Sequence, residues 1–350
     1  MPPIEVIASV EADGAREAAA DIETVGDAIK RTSEQSQRSA PAHKQHSDAI
    51  GKIGTASLVA GGAMLAGFGM AAHGLADFDK EMSGVAAVAG ATGDELEQLR
   101  GAAIKAGADT AFSAGEAAQA EAELAKAGVS VKDILGGGLA GALGLAAAGQ
   151  IDVAQAATLS AEALKMFNLS GSQTGHVADL LAAGANKSAA DVTDLGMALE
   201  QGGLVAKQTG LSIEDTVGVL SMFADKALKG SDAGTSLKTM LQRLTPTSQP
   251  AIDAMHQLGI SAYDSTGKFI GLANFAQNLK DSLSDLTAEQ RNTALTTIFG
   301  SDAVRAASIL YEGGAASVNE YTKAVDDNGA ASRMASTQLD NLSGDLEQLK

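Results

Sequence analysis

Residues 78–128 read FDKEMSGVAAVAGATGDELEQLRGAAIKAGADTAFSAGEAAQAEAELAKAG, a series of Ala-rich segments punctuated by glycine and opened by Ser, Thr or Asp. A hydroxyl or carboxylate before an apolar run accepts one of the free backbone N–H groups of a first helical turn. A glycine after the run takes up the left-handed conformation that closes the last one. The stretch therefore predicts short helices joined by tight turns. Ser113 and Glu116 form an S-x-x-E capping box, expected to open a helix running to about Ala127 with Gly128 as its stop. No residue set in the stretch is able to run a reaction.

The same punctuation continues outward. Ser130 with Asp133 is expected to open a helix through Ile134–Ala148 that Gly149 ends. Asp152, Ser188 with Asp191, Ser212 with Asp215, and Thr287 with Gln290 mark further helix starts. Helices are also expected at Ser231–Leu244, Asn274–Leu286 and Ala288–Phe299, the last stopped by Gly300. The turn GVSVKD (128–133) recurs as GLSIED (210–215), which reads as shared turn chemistry because the spacing is too long for a solenoid repeat. Gly259-Ile260-Ser261 starts alike, but Ile260–Tyr263, Asp264–Gly267 and Lys268–Ile270 predict a small β-hairpin.

Toward the N-terminus, residues 4–10 alternate as a short strand would, and 12–39 read as a polar helix with a narrow stripe of Ile22, Val25 and Ile29. Residues 53–72 carry no charge and are long enough to cross a bilayer. Their Ala, Gly and Met content makes insertion marginal, so a buried or self-associating helix and conditional membrane insertion both remain open. At the other end Leu339, Leu342, Leu346 and Leu349 begin a coiled-coil pattern that stops in mid-course. The expected fold is mainly α: a compact multi-helix Ala/Gly-rich domain (77–330) with one small β-hairpin. Before it come a strand and polar helical arm (1–52) and the uncharged helix (53–76). After it comes the start of a coiled-coil extension (331–350), which makes the chain look like a fragment of a longer protein.

Composition narrows the functions. Of 350 residues, 45% are hydrophobic and 3% aromatic, so a core built from small aliphatic side chains is expected. A net charge of −18 repels phosphates and argues against nucleic-acid binding, which draws on Lys and Arg. The absence of cysteine excludes disulfides and thiolate metal sites. The N-terminus has no secretory signal pattern.

No motif supplies chemistry. Gly267-Lys268 is followed by Phe269 and lacks the upstream glycine of a P-loop. Gly136-Gly137-Gly138 and Gly141 lie in a helical run and read as a thin face against which another backbone packs. His43 and His46 read as a solvated turn, and His73, His176 and His256 are isolated from one another. Glu121 and Glu123 cannot be told from the solvated faces of an acidic chain. No catalytic, cofactor-binding or metal-binding residue is assigned, no cofactor is expected, and the chain reads as a protein that is not an enzyme.

An ordered set of segments runs through ADFDKEMSGVAAVAGAT (76–92), LAKAGVSVKDIL (124–135), AAGQIDVAQAATLSAEAL (147–164) and HVADLLAAGANKSAADVTDLGMAL (176–199). It continues through GLSIEDTVGVLSMFADKALKGSDAGTSLKTMLQRL (210–244), GISAYDSTGKF (259–269) and LTTIFGSDAVRAASIL (295–310). In this order the set resembles the N-terminal arm and core region of bacteriophage tail tape measure proteins. The resemblance implies a structural protein of the virion tail lumen, made in the host cytoplasm, that templates tail tube assembly and tail length and assists genome ejection. It implies tail tube, distal tail or baseplate, and tail assembly chaperone proteins as partners, with self-association in a small oligomer and transient host membrane contact. Two alternatives stand beside it: a membrane-active translocation protein using the 53–72 helix, and a bacterial helical secretion or sensory protein.

Overall fold

Capping chemistry sets most of the helix ends in the computed structural model, which describes residues 78–337. Residues 78–89 are helical (α1). Capping boxes at Thr92/Glu95 and Ser113/Glu116 open α2 (Gly93–Asp109) and α3 (Ala114–Lys126). Beyond α3, Gly128 lies at φ +85°, and the Val129 N–H donates back to the Leu124 carbonyl at 3.0 Å. Gly210 at φ +98° repeats this, with Leu211 donating to Ala206 at 3.0 Å. The recurring G-x-S turn is thus one device used twice: a left-handed glycine closes one helix and a serine caps the next.

The remaining helices are α4 (Leu139–Gly149), α5 (Val153–Phe167), α6 (Thr174–Lys187), α7 (Val192–Thr209) and α8 (Ile213–Ala224). They are followed by α9 (Gly230–Arg243), α10 (Gln249–Leu258), α11 (Leu272–Leu283) and α12 (Ala288–Val325), then by a helix over 330–337 (α13). The mainly α expectation holds. The strand at 4–10, the helix at 12–39, the uncharged segment 53–72, His43, His46, His73 and the leucines at 339–349 lie outside the described residues.

Four local expectations need correction. Residues 260–270 do not form a β-hairpin; one antiparallel bridge, Tyr263 to Phe269, is all that pairs. Helix ends and the turn use up the rest of the backbone. The Ile260 N–H closes α10 by donating to Met255, Ser261 donates to Asn278 of α11, and the Asp264 carboxylate accepts from the backbone of Thr266 and Lys268. The left-handed residue after α4 is Gln150 (φ +51°), while Gly149 is the last helical residue, where a Cβ would stand 2.9 Å from Val192 Cβ; Gly149 serves contact, not the turn. Asp191, boxed with Asp194, caps α7, while the Ser188 hydroxyl donates back to Gly184 at the end of α6. Ile134–Gly138 form a π-helical turn ahead of α4, with Gly137 at φ +133°, in place of the expected regular helix.

Gly300 does break the helix, but the chain resumes helix at once. Gly300 (φ +73°, ψ 178°) and Gly314 (φ +62°, ψ −165°) are corners within α12, in a region open to glycine alone. At Gly314 the interrupted ladder is completed by α11. Gln277 accepts the Ala315 N–H at 3.3 Å and Lys280 donates to the Glu312 carbonyl at 3.2 Å. These corners let α12 pack against α6, α8, α9, α10 and α11 in turn.

Small residues allow the helices to approach closely. A Cβ at Gly141 (α4) would lie 2.8 Å from Gly175 Cα (α6), and one at Gly202 (α7) 2.8 Å from the Gly234 carbonyl oxygen (α9). The thin-face reading therefore holds at Gly141, whereas Gly136 and Gly137 meet nothing. The core is mostly Ala and Leu, with Phe167, Phe223, Phe275 and Phe299 its largest fully buried side chains.

Candidate interaction surfaces

Among the described residues, no group of three His, Asp or Glu side chains comes together as a metal site would require. His176, in the first turn of α6, does find a partner: its Nε2 lies 2.8 Å from Glu214, in the first turn of α8. Partial burial works against the Glu214 carboxylate. Hydrogen bonds from His176, from its own backbone and from Ser212 outweigh it and hold the group below the usual range. The pair clamps two helix starts. His256 lies in the last turn of α10.

The two carboxylates that look alike in the sequence have different fates. Glu123 pairs with Lys126 at 2.6 Å on a solvated face. Glu121 is fully buried, which corrects the solvated reading. Its neighbours at i−4, i−3, i+3 and i+4 are Ala117, Ala118, Leu124 and Ala125, an all-apolar setting that a helical wheel would have revealed.

The clearest concave surface surrounds α13. On one side, α2, the π turn, α4 and α13 enclose a groove of about 480 Å³ whose walls include Ala102, Phe112, Leu135, Leu143, Ala147 and Ala335. On the other, α6, the end of α12 and α13 form a more polar groove of about 560 Å³ with Lys187, Asp327 and Arg333 on its walls. The helix between them is fixed at its start by Asp179 of α6, which accepts the N–H groups of Gly329 at 2.7 Å and Ala331 at 3.0 Å. This cap comes from 150 residues away, so nothing local in the sequence signals it. Asp179→Ala is expected to remove about 1–2 kcal/mol of local stability, the usual worth of an N-cap. Amide exchange over 330–337 should then quicken roughly 5–30-fold; unchanged protection there would contradict the cap.

Among the described residues, exposed large apolar side chains are few. Met197 and Leu204 lie seven apart on α7, on one face, with Ile104 on α2 and Ile252 on α10. Among the described residues, Val131–Gly149 alone is a helix long and apolar enough to cross a membrane, at 19 residues. It is 44% buried within the fold and is interrupted at Gly137 in the π turn, and one such helix is weak evidence for membrane residence.

Sequence relatives give the family context. Residues 100–300 match the family described as phage-related minor tail protein. Over 274 residues, 78% of this chain, the sequence is 39% identical to the tape measure protein of Pneumococcus phage Dp-1, covering 24% of that protein. Over 279 residues, 77% of this chain, it is 32% identical to the probable tape measure protein of Escherichia phage P2, covering 34% of it. The chain thus spans about a quarter to a third of the length of these relatives. No solved structure matches it.

Proposed function

The chain belongs to the family of phage-related minor tail proteins, and from that premise we propose that it forms a compact docking domain of a tape measure protein. The observation that carries this reading is the way the helices end. A helix rises ~1.5 Å per residue, so a molecular ruler needs long unbroken helix. Among the described residues the longest helix has 38 residues and turns two corners, at Gly300 and Gly314. A folded body of this kind suits attachment to tail tube, distal tail or baseplate, and assembly chaperone proteins. The measuring section is assigned to sequence outside the described residues.

On this reading the domain acts in the tail lumen by shape and assembly, as a small oligomer, and performs no reaction. Its acidic surface, part of a chain with net charge −18, limits adhesion to DNA sharing the tube. In a phage producing this protein, deletion of residues 213–243, which removes α8 and α9, is expected to abolish tails. Electron microscopy of the particles decides the matter. Intact tails shortened by about 1.5 Å per deleted residue would make this region part of the ruler and overturn the docking assignment.

A further inference from the structure

Glu121 is the only ionisable side chain that is fully buried among the described residues, and neither of its carboxyl oxygens has a hydrogen-bond partner. It sits in the middle of α3, which packs against α2, α4, α5 and the π turn. On the neighbouring α5, the Ser160 hydroxyl is likewise buried without a partner.

Among the described residues, no cation pairs with Glu121. The π turn and α4 contain no titratable residue. On α2 the titratable side chains are Asp94, Glu95, Glu97, Arg100, Lys105 and Asp109; Arg100 pairs with Asp79 and Glu97, and Lys105 with Asp109. On α5 they are Glu162 and Lys165, both exposed. On α3 itself, Glu116 is bound to Ser113, and Glu123 and Lys126 to each other. Asp79, Lys80 and Glu81 of α1 make no ion pair with Glu121. A proton on Glu121 is therefore what makes its burial tolerable, since an unpaired carboxylate in a dry interior is heavily penalised.

We propose that α3 is a proton-held latch, docked on α4 and α5 while Glu121 is neutral and released when the proton leaves. The inference does not depend on the tail assignment. It makes the α2–α5 end of the domain the part that opens first as pH rises, exposing apolar faces of α3 and α5.

The direction follows from linkage. Burial pushes the Glu121 carboxyl from 4.5 up to about 8. An acid raised in the docked state contributes stability that is complete below pH 4.5 and is lost as pH rises to about 8. Well inside those limits the opening constant of α3 should grow roughly tenfold per pH unit, a total of roughly a few hundredfold from pH 5 to 8.

Hydrogen exchange of the 350-residue chain from pH 5 to 9, corrected for intrinsic rates, tests this. The expected result is that opening of α3 rises with pH in the parent and is flat in both Glu121→Gln and Glu121→Leu, while amides of α11 keep their protection. An equal slope in parent and variants, or parallel loss of protection in α11, would overturn the latch. Should either variant fail to fold, the carboxyl carbon signal of Glu121 in the unaltered chain decides: a midpoint near 8 supports the proposal, and an ordinary one near 4.5 refutes it.

Discussion

Gly234→Ala is expected to cost at least about 3 kcal/mol, enough to unfold much of the domain, although it adds a single methyl group. Gly234 is buried in α9 where that helix crosses α7, the most extensive helix pair in the structure. A Cβ there would fall inside the van der Waals shell of the Ala198 carbonyl oxygen, 2.9 Å from its carbon and 2.8 Å from Gln201 Cβ. Ala198 is buried within α7, so its carbonyl has no rotamer by which to escape and the two helices would have to separate. Gly101→Ala provides the opposite case. That glycine is exposed in α2 with nothing within 4 Å of an added methyl, so alanine should stabilise the helix by about 0.5–1 kcal/mol. Urea unfolding of both variants checks the contrast. Equal effects at the two sites would mean that close backbone approach does not hold α7 to α9.

What is legible in the sequence follows the range of the interaction. Capping boxes at Ser113/Glu116 and Thr287/Gln290 span three residues, and both form where the motif puts them. The G-x-S turns at Gly128 and Gly210 are equally local and equally readable. Several of the misses involve distant partners. Asp179 caps a helix that begins 150 residues later. Gly149 lies against Val192, and the left-handed position falls at Gln150. The hairpin at 260–270 is sound by alternation, but helix termini on both sides claim the backbone groups that a ladder needs. Gly300 and Gly314 show a further reason. A glycine in the sequence reads as a stop, but whether helix resumes beyond it depends on patching groups such as Gln277 and Lys280 on another element. The function class is legible through order: seven segments in the same succession carry more than any one motif. The buried Glu121 has a local signal in its four apolar neighbours, but the net charge of −18 makes one more acid inconspicuous.

Phe299→Ala is expected to cost about 3–5 kcal/mol, toward the upper end of that range. Phe299 of α12 meets Phe275 of α11 edge to face, with ring centroids 6.4 Å apart and planes at 75°, and both rings are fully buried. The chain has eight phenylalanines and no tryptophan in 350 residues, so each buried ring fills space that Ala and Leu neighbours cannot. Truncation leaves a cavity whose cost falls only if the walls collapse into it. Collapse is resisted here because Phe299 directly precedes the Gly300 corner and the Gly314 corner is tied to α11 by Gln277 and Lys280. Phe299→Leu keeps most of the volume and should cost about 1.5 kcal/mol or less. Thermal melts should show the alanine variant roughly 10 °C below the parent, at 2–4 °C per kcal/mol for a domain of this size. The pH dependence of α3 opening should be the same in Phe299→Ala as in the parent, because Glu121 lies in the α2–α5 packing and Phe299 in the α11–α12 packing. A loss below about 1 kcal/mol would show that α11 and α12 close over the gap, and that the scarce aromatic side chains do not anchor this small-residue core.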